Sequence, residues 1–171
     1  SGVFAGSLRV TGSTLELLAS VHAPTMLQRL IAGGDEFSAY KGDAEHVTRF
    51  VSRARRRSHN WREISIDRPM EELAKTPILY LSVEAMPDWS DEEWGRLRDY
   101  CFEGGVMVVN VSGEDAALSD AAQKRVAALF PEYTVREMAA DDPLLALEGG
   151  VTLERPLRVI GNEFKNFVFF T

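Results

Sequence analysis

The sequence predicts an α/β domain built on a mainly parallel sheet. Three observations predict it. Apolar strands alternate with amphipathic helices between residues 26 and 138, the strongest strands are apolar on both faces, and the helices carry clear end signals. Strands separated by helices imply right-handed crossovers and parallel pairing. Strands apolar on both faces imply helices above and below the sheet, a three-layer arrangement.

Residues 1–25 precede the alternation as a lead-in segment, and the α/β domain occupies 26–171. Met26 to Ile31 reads as the first strand, stopping at Gly33-Gly34. Asp43 is the expected N-cap of a helix whose Val47, Phe50, Val51 and Ala54 share one face at i, i+3, i+4 and i+7. Glu63 to Ile66 gives a weak second strand and Ile78 to Val83 a strong third. In the next helix Ser90 and Glu93 form a capping box, Asp91 and Glu92 load the first turn with negative charge, and Trp89 and Trp94 stand where a hydrophobic staple sits. Leu97 and Cys101 continue its apolar face, and Gly104-Gly105 ends it. Val106 to Val109 is the fourth strand. A further helix runs from about Ser119 to Phe130, with Ala122, Val126 and Leu129 inward and Pro131 as its stop. Tyr133 to Met138 reads as a fifth strand. Leu157 to Ile160 and Asn166 to Phe170, joined through Gly161-Asn162, read as a C-terminal hairpin at a sheet edge.

Composition narrows the class further. The 171 residues are 45% apolar and 26% charged, with a net charge of −7, which is ordinary for a globular protein and excludes disordered, collagen-like and coiled-coil chains. No uncharged apolar run of about 18 residues exists, so no transmembrane segment is expected. A lone cysteine, Cys101, leaves no internal disulfide and no cysteine-cluster zinc site. The chain lacks an initiator Met and a leader pattern, and an aromatic strand stops one residue before its end. These features predict a piece of a longer protein. They leave the compartment open between cytoplasm and periplasm, with attachment to a membrane-associated protein also compatible.

In an open parallel sheet, ligands bind outside the carboxyl ends of the strands, where strand order reverses. That rule selects Gly33, Gly34 and Asp35, then Asp67, Glu84, and finally Asn110, Ser112, Gly113, Glu114 and Asp115. The set holds no Lys or Arg, and the chain has neither GxGxxG nor GxxxxGK[ST], so dinucleotide and P-loop sites lack their signatures. Carboxylates gathered there suit a divalent cation or a basic or polyhydroxyl ligand; the same residues also serve as helix caps and turns. The expected ligand-binding residues are Gly34, Asp35, Glu84, Asn110, Ser112, Glu114 and Asp115, with no catalytic residue, metal or cofactor assigned. Cys101 falls at the far end of its helix, where a small apolar residue packs on the sheet and not on the sharp turn a nucleophile needs. His22, His46 and His59 show no metal-ligand spacing.

Charge is unevenly spread. Arg49, Arg53, Arg55, Arg56, Arg57 and Arg62 lie within fourteen residues free of acid, which leaves −13 on the rest of a chain whose net charge is −7. Such a stripe can contact phosphate, but aromatic interleaving is sparse and the acidic remainder repels a polyanion, so nucleic acid is not the expected partner. A solvated face, or self-association through Arg49, Arg53 and Arg56 with the acidic turn at Asp91 to Glu93 of a second copy, fits better.

One resemblance rests on residues in order: Gly33-Gly34-Asp35, Tyr80-Leu81, Ser90 to Leu97, Arg98, Tyr100, Gly104-Gly105, Leu129-Phe130-Pro131 and Asp142-Pro143-Leu144-Leu145. From about residue 26 onward the chain resembles domain-of-unknown-function family 4159, a bacterial family. The resemblance implies a flavodoxin-like three-layer sandwich, similar to class I glutamine amidotransferases, without implying their activity. Where that family commonly has Asp-His-Pro this chain has Asp141-Asp142-Pro143, and where an acidic pair often follows the central strand it has Asn110-Val111-Ser112. Together these readings predict a non-catalytic ligand-binding or interaction module. The alternatives are a metal- or carboxylate-dependent hydrolase at the same acidic edge, and a scaffold domain associating through the basic helix.

Overall fold

The computed structural model describes residues 25–31, 42–111, 115–139, 141–142, 144 and 156–171. Among these residues seven strands and four helices follow in the order β1 (Thr25–Ile31), α1 (Asp43–Ala54), β2 (Asn60–Ser65), α2 (Met70–Leu73), β3 (Ile78–Val83), α3 (Asp91–Phe102), β4 (Val106–Val111), α4 (Ala116–Ala127), β5 (Arg136–Glu137), β6 (Arg158–Gly161) and β7 (Asn166–Phe170). One sheet holds all seven strands, ordered β2-β1-β3-β4-β7-β6-β5. The pairs from β2 across to β7 are parallel, and β7-β6 and β6-β5 are antiparallel. The fold is therefore mixed α/β around a mostly parallel sheet.

The larger core lies on the face carrying Leu30, Leu79, Leu81, Val83, Met107, Val109 and Val168, closed by Trp94, Leu97, Tyr100 and Cys101 of α3 and Ala122 and Val126 of α4. At about 25 cal/mol per Å², burying each such large side chain stabilises the fold by roughly 1.5–3 kcal/mol. The opposite face carries a smaller cluster, in which Ala44 of α1 packs against Leu27 and Tyr80.

Helix α3 is fixed at its start by its own sequence and at its end by a distant lysine. The Ser90 hydroxyl accepts from the Glu93 N–H at 3.2 Å while the Glu93 carboxylate accepts from the Ser90 N–H at 2.8 Å, and Trp89 meets Trp94 edge-on at 5.0 Å. At the other end Lys165 donates to the carbonyls of Gly104 and Gly105 at 2.5 and 2.8 Å, placing a cation against the negative end of the helix dipole.

Several expectations are corrected. Asp43 is not the cap of α1: Gly42 is, without a side-chain bond, and Asp43 lies one residue inside. The buried side of α1 is Ala44 and Thr48, while Val47 and Phe50 are 40% and 73% exposed. The reason lies in the sheet beneath. Its face there carries Leu27, Tyr80 and the buried Arg29, and α1 meets it through the small residues Ala44 and Thr48. Helix α4 starts at Ala116 because Asp115 caps it, accepting from the Leu118 N–H at 3.0 Å. β2 begins at Asn60, since the second strand follows β1 along nearly its whole length. The expected fifth strand shrinks to Arg136–Glu137, antiparallel beyond β6. The C-terminal hairpin forms as β6 and β7, but β7 fills an interior position beside β4, and β5 takes the edge. The expected stop at Gly33-Gly34 and residues 1–24 of the expected lead-in lie outside the described residues.

Candidate functional site

Strand order reverses between β1 and β3, because the chain leaves β1 toward β2 on one side and returns to β3 on the other. Register places two rows of side chains across the sheet at this point. In the first, Glu63, Arg29, Tyr80, Val108 and Phe169 stand side by side on β2, β1, β3, β4 and β7. The second, nearer the carboxyl edge, runs Ser65, Ile31, Ser82 and Asn110, with the Thr171 hydroxyl donating to Asn110 Oδ1 at 3.0 Å. Partners in register share a face, so Glu63, Arg29, Tyr80, Ser65, Ser82 and Asn110 form a polar strip on the face whose β1–β2 end α1 covers.

Asp43 reaches this strip from the first turn of α1. Its Oδ2 accepts from the Tyr80 hydroxyl at 3.2 Å and from the Ser82 hydroxyl at 3.4 Å. Burial first, and the Asp43 carboxylate second, push the Tyr80 phenol up to about 12, with Asn110 and Arg29 pulling the other way. At neutral pH Tyr80 thus keeps its proton and acts as a hydrogen-bond donor, not as a base. Arg29, its neighbour in register, is 2% exposed and donates to Glu63 Oε1 at 3.3 Å, while its Nε has no partner among the described residues. A guanidinium this buried would be costly without its carboxylate.

Of the sequence-predicted site residues, the structure brings only Asn110 into this strip. Glu84 follows β3 at the carboxyl edge, half-buried, and its Oε1 is buried without a partner among the described residues. Asp115 is exposed and spends its carboxylate capping α4. Gly34, Asp35, Ser112 and Glu114 lie outside the described residues. No group of three His, Cys, Asp or Glu among the described residues could hold a metal ion. Cys101 is buried on the opposite face with its thiol against the Phe167 carbonyl at 3.7 Å, and burial pushes it up to about 12. His46 is exposed on α1, and His59 donates its backbone N–H to the Ser52 hydroxyl.

Asp43, Tyr80, Ser82 and Arg29 escaped the sequence reading as site residues. Two signals could have found them. Ile78 to Val83 carries its only polar groups at alternate positions, which puts both on one face. Met26 to Ile31 places Gln28 and Arg29 in what becomes an interior strand. The Asp43 contact itself spans 37 and 39 residues and leaves no local pattern.

Residues 26–148 match the family described as Domain of unknown function (DUF4159). The chain belongs to this family. No curated protein matches it. Among solved structures, a Burkholderia pseudomallei protein described as pilus assembly-related is similar at 10% identity and a TM-score of 0.34, over 62% of this chain and 72% of that one. So distant a likeness carries no functional argument.

The DUF4159 landmarks have physical causes in this chain. Gly104 adopts φ +111°, a backbone that L side chains rarely reach. Gly105 lies under the Tyr100 ring, where an added Cβ would overlap Cε1 and Cζ and come within 2.7 Å of Cδ1. Tyr100 cannot swing aside readily, because its hydroxyl donates to the buried Thr76 carbonyl at 2.9 Å. Phe130, fully buried, stacks on Phe167 with centroids 6.0 Å apart, and Asp142 Oδ1 accepts from the Leu144 N–H at 2.9 Å. No helix among the described residues is long and apolar enough to cross a membrane.

Proposed function

We propose that this DUF4159 domain is a non-catalytic binding module whose ligand docks at the carboxyl edge of the sheet between β1 and β3. The observation that carries the reading is the Asp43 carboxylate, drawn from α1 to the two hydroxyls of Tyr80 and Ser82 at the point where strand order reverses. Asn110, Thr171 and the backbone edge beyond them extend a surface of donors and acceptors, and Gly34, Asp35, Glu84, Ser112 and Glu114 are its proposed rim. Such a surface suits a polyhydroxyl or amine ligand, which can satisfy a carboxylate and several hydroxyls at once. The parallel run β2-β1-β3-β4-β7 supports a fold of the flavodoxin-like, amidotransferase-like kind. Cys101 lies on the other face with its thiol held protonated, which supports a binding role over thiol catalysis. The unpartnered Glu84 Oε1 favours a second reading, a divalent cation held at the same edge.

Thermal-shift titrations with sorbitol, putrescine and Ca²⁺ test both, since anything selective for the folded state raises its stability. A shift with sorbitol or putrescine that Asp43→Asn removes supports the module. A shift with Ca²⁺ that Glu84→Gln removes supports the cation site. No shift with any of the three, in a protein whose native melt is cooperative, contradicts both.

A further inference from the structure

We propose that copies of this domain associate head to tail, the exposed apolar face of α1 on one copy docking against an acidic aromatic patch at the amino edge of the next. The first surface is helical. Val47, Phe50 and Ala54 follow one another at i, i+3 and i+7 on the outward side of α1, and Phe50 is 73% exposed. Arg53 lies on the same helix and Arg56 and Arg57 just beyond its end, all three exposed and without an ion pair to any described residue. An exposed aromatic ring on an arginine-rich segment has the composition of an interface anchor.

The second surface lies farther along the same amino edge, beside the starts of β4 and β7. Phe164, 93% exposed, stands at the tip of the β6–β7 hairpin, and Phe102, 47% exposed, stands at the end of α3. Both are held in place. The Phe164 N–H donates to Asn162 Oδ1 at 2.8 Å, and Lys165 ties the hairpin to α3 through Gly104 and Gly105. Phe102 packs edge-on against Phe130 and Phe167 at 6.1 and 5.7 Å. Around them Asp99, Glu103 and Glu163 are exposed and form no ion pair with a described residue, and they outnumber the two cations present, Lys165 and the Arg98 guanidinium that lies 4.6 Å over the Phe102 ring and is paired with Glu132.

Charge complementarity selects a second copy as the occupant. The six arginines between 49 and 62 are the densest run of positive charge in a sequence of net charge −7, and the amino-edge patch meets it with an excess of acid and with exposed aromatic side chains. The acidic first turn of α3 is a poorer match, because Asp91 bonds Arg125 at 2.5 Å and Glu93 closes the capping box. Two different patches on one molecule make a heterologous contact, which propagates into chains or rings instead of closing as a symmetric pair.

Sedimentation velocity over roughly 5 to 500 μM, where small contacts become populated, tests it. The wild type should grow in mass with concentration, and Arg53→Glu/Arg56→Glu and Phe164→Asp should each stay monomeric while melting as the wild type does. Their equimolar mixture should form dimers that grow no further, since only one intact contact remains per pair. A wild type monomeric throughout, an unaffected variant, or a mixture that stays monomeric overturns the proposal. If either variant loses its melting transition, Phe50→Ser and Glu103→Lys form the equivalent pair with the same outcomes.

Discussion

Gly105→Ala should be among the most damaging single-methyl changes in this domain. The added Cβ would overlap two ring carbons of Tyr100 and lie 2.7 Å from a third. Tyr100 is 1% exposed, and its hydroxyl bond to the Thr76 carbonyl pins the ring from the far side. Relief requires moving the ring, with overpacking worth about 1–3 kcal/mol, and breaking a buried hydrogen bond worth about 1–3 kcal/mol. The sum is about 4 kcal/mol, or a fall in Tm of roughly 8–16 °C for a chain of this size. Urea and thermal melts measure it directly. A double-mutant cycle with Tyr100→Phe isolates the cause. In the wild type, removing the hydroxyl should cost about 1–2 kcal/mol by leaving the Thr76 carbonyl unsatisfied. In Gly105→Ala, where that bond is already broken, it should cost almost nothing. A Gly105→Ala protein melting within about 2 °C of wild type, or a Tyr100→Phe cost equal in both backgrounds, refutes the reasoning.

Further outcomes are expected. Cys101 should resist alkylation at pH 8 in the native protein and react promptly in urea, because burial holds its thiol near 12. The same shift sets a pH dependence. Below about pH 9 both folded and unfolded states keep the Cys101 proton and stability is full. As the pH climbs toward 12 the unfolded state alone loses it and stability falls, a slope that Cys101→Val should reduce. Asp115→Ala should cost about 1 kcal/mol through loss of the α4 cap, read in urea melts, and leave every ligand-induced thermal shift unchanged. Ser90→Ala should cost a similar amount, about 1 kcal/mol, since it dismantles the capping box of α3.

The parts of the fold that sequence reveals are those decided locally. The apolar run Ile78 to Val83 forms a strand at those residues, and α3 begins where Ser90, Glu93, Trp89 and Trp94 say it should. The parts it hides depend on what lies opposite. Val47, Phe50, Val51 and Ala54 have the spacing of a buried stripe, yet the sheet face under α1 bears Arg29, Tyr80 and Ser82, and only Ala44 and Thr48 fit closely against it. Tyr133 to Met138 has strand composition, but which neighbour it pairs with, and in which direction, is settled by the hairpin that arrives twenty residues later in the chain. The candidate site divides the same way. The carboxyl-edge rule locates the strand ends at which Asn110 and Glu84 stand, whereas Asp43 looks like a helix cap until the fold brings Tyr80 and Ser82 to it.

The titration of Tyr80, followed by the NMR shift of its ring carbon in the wild type and in Asp43→Asn, asks most directly whether α1 delivers a carboxylate to the sheet. The phenol should titrate near 12 in the wild type, and nearer its ordinary value once the charge is gone, while staying raised because the ring is still buried. A midpoint at about 10 in the native protein, or one that Asp43→Asn leaves where it was, contradicts the site.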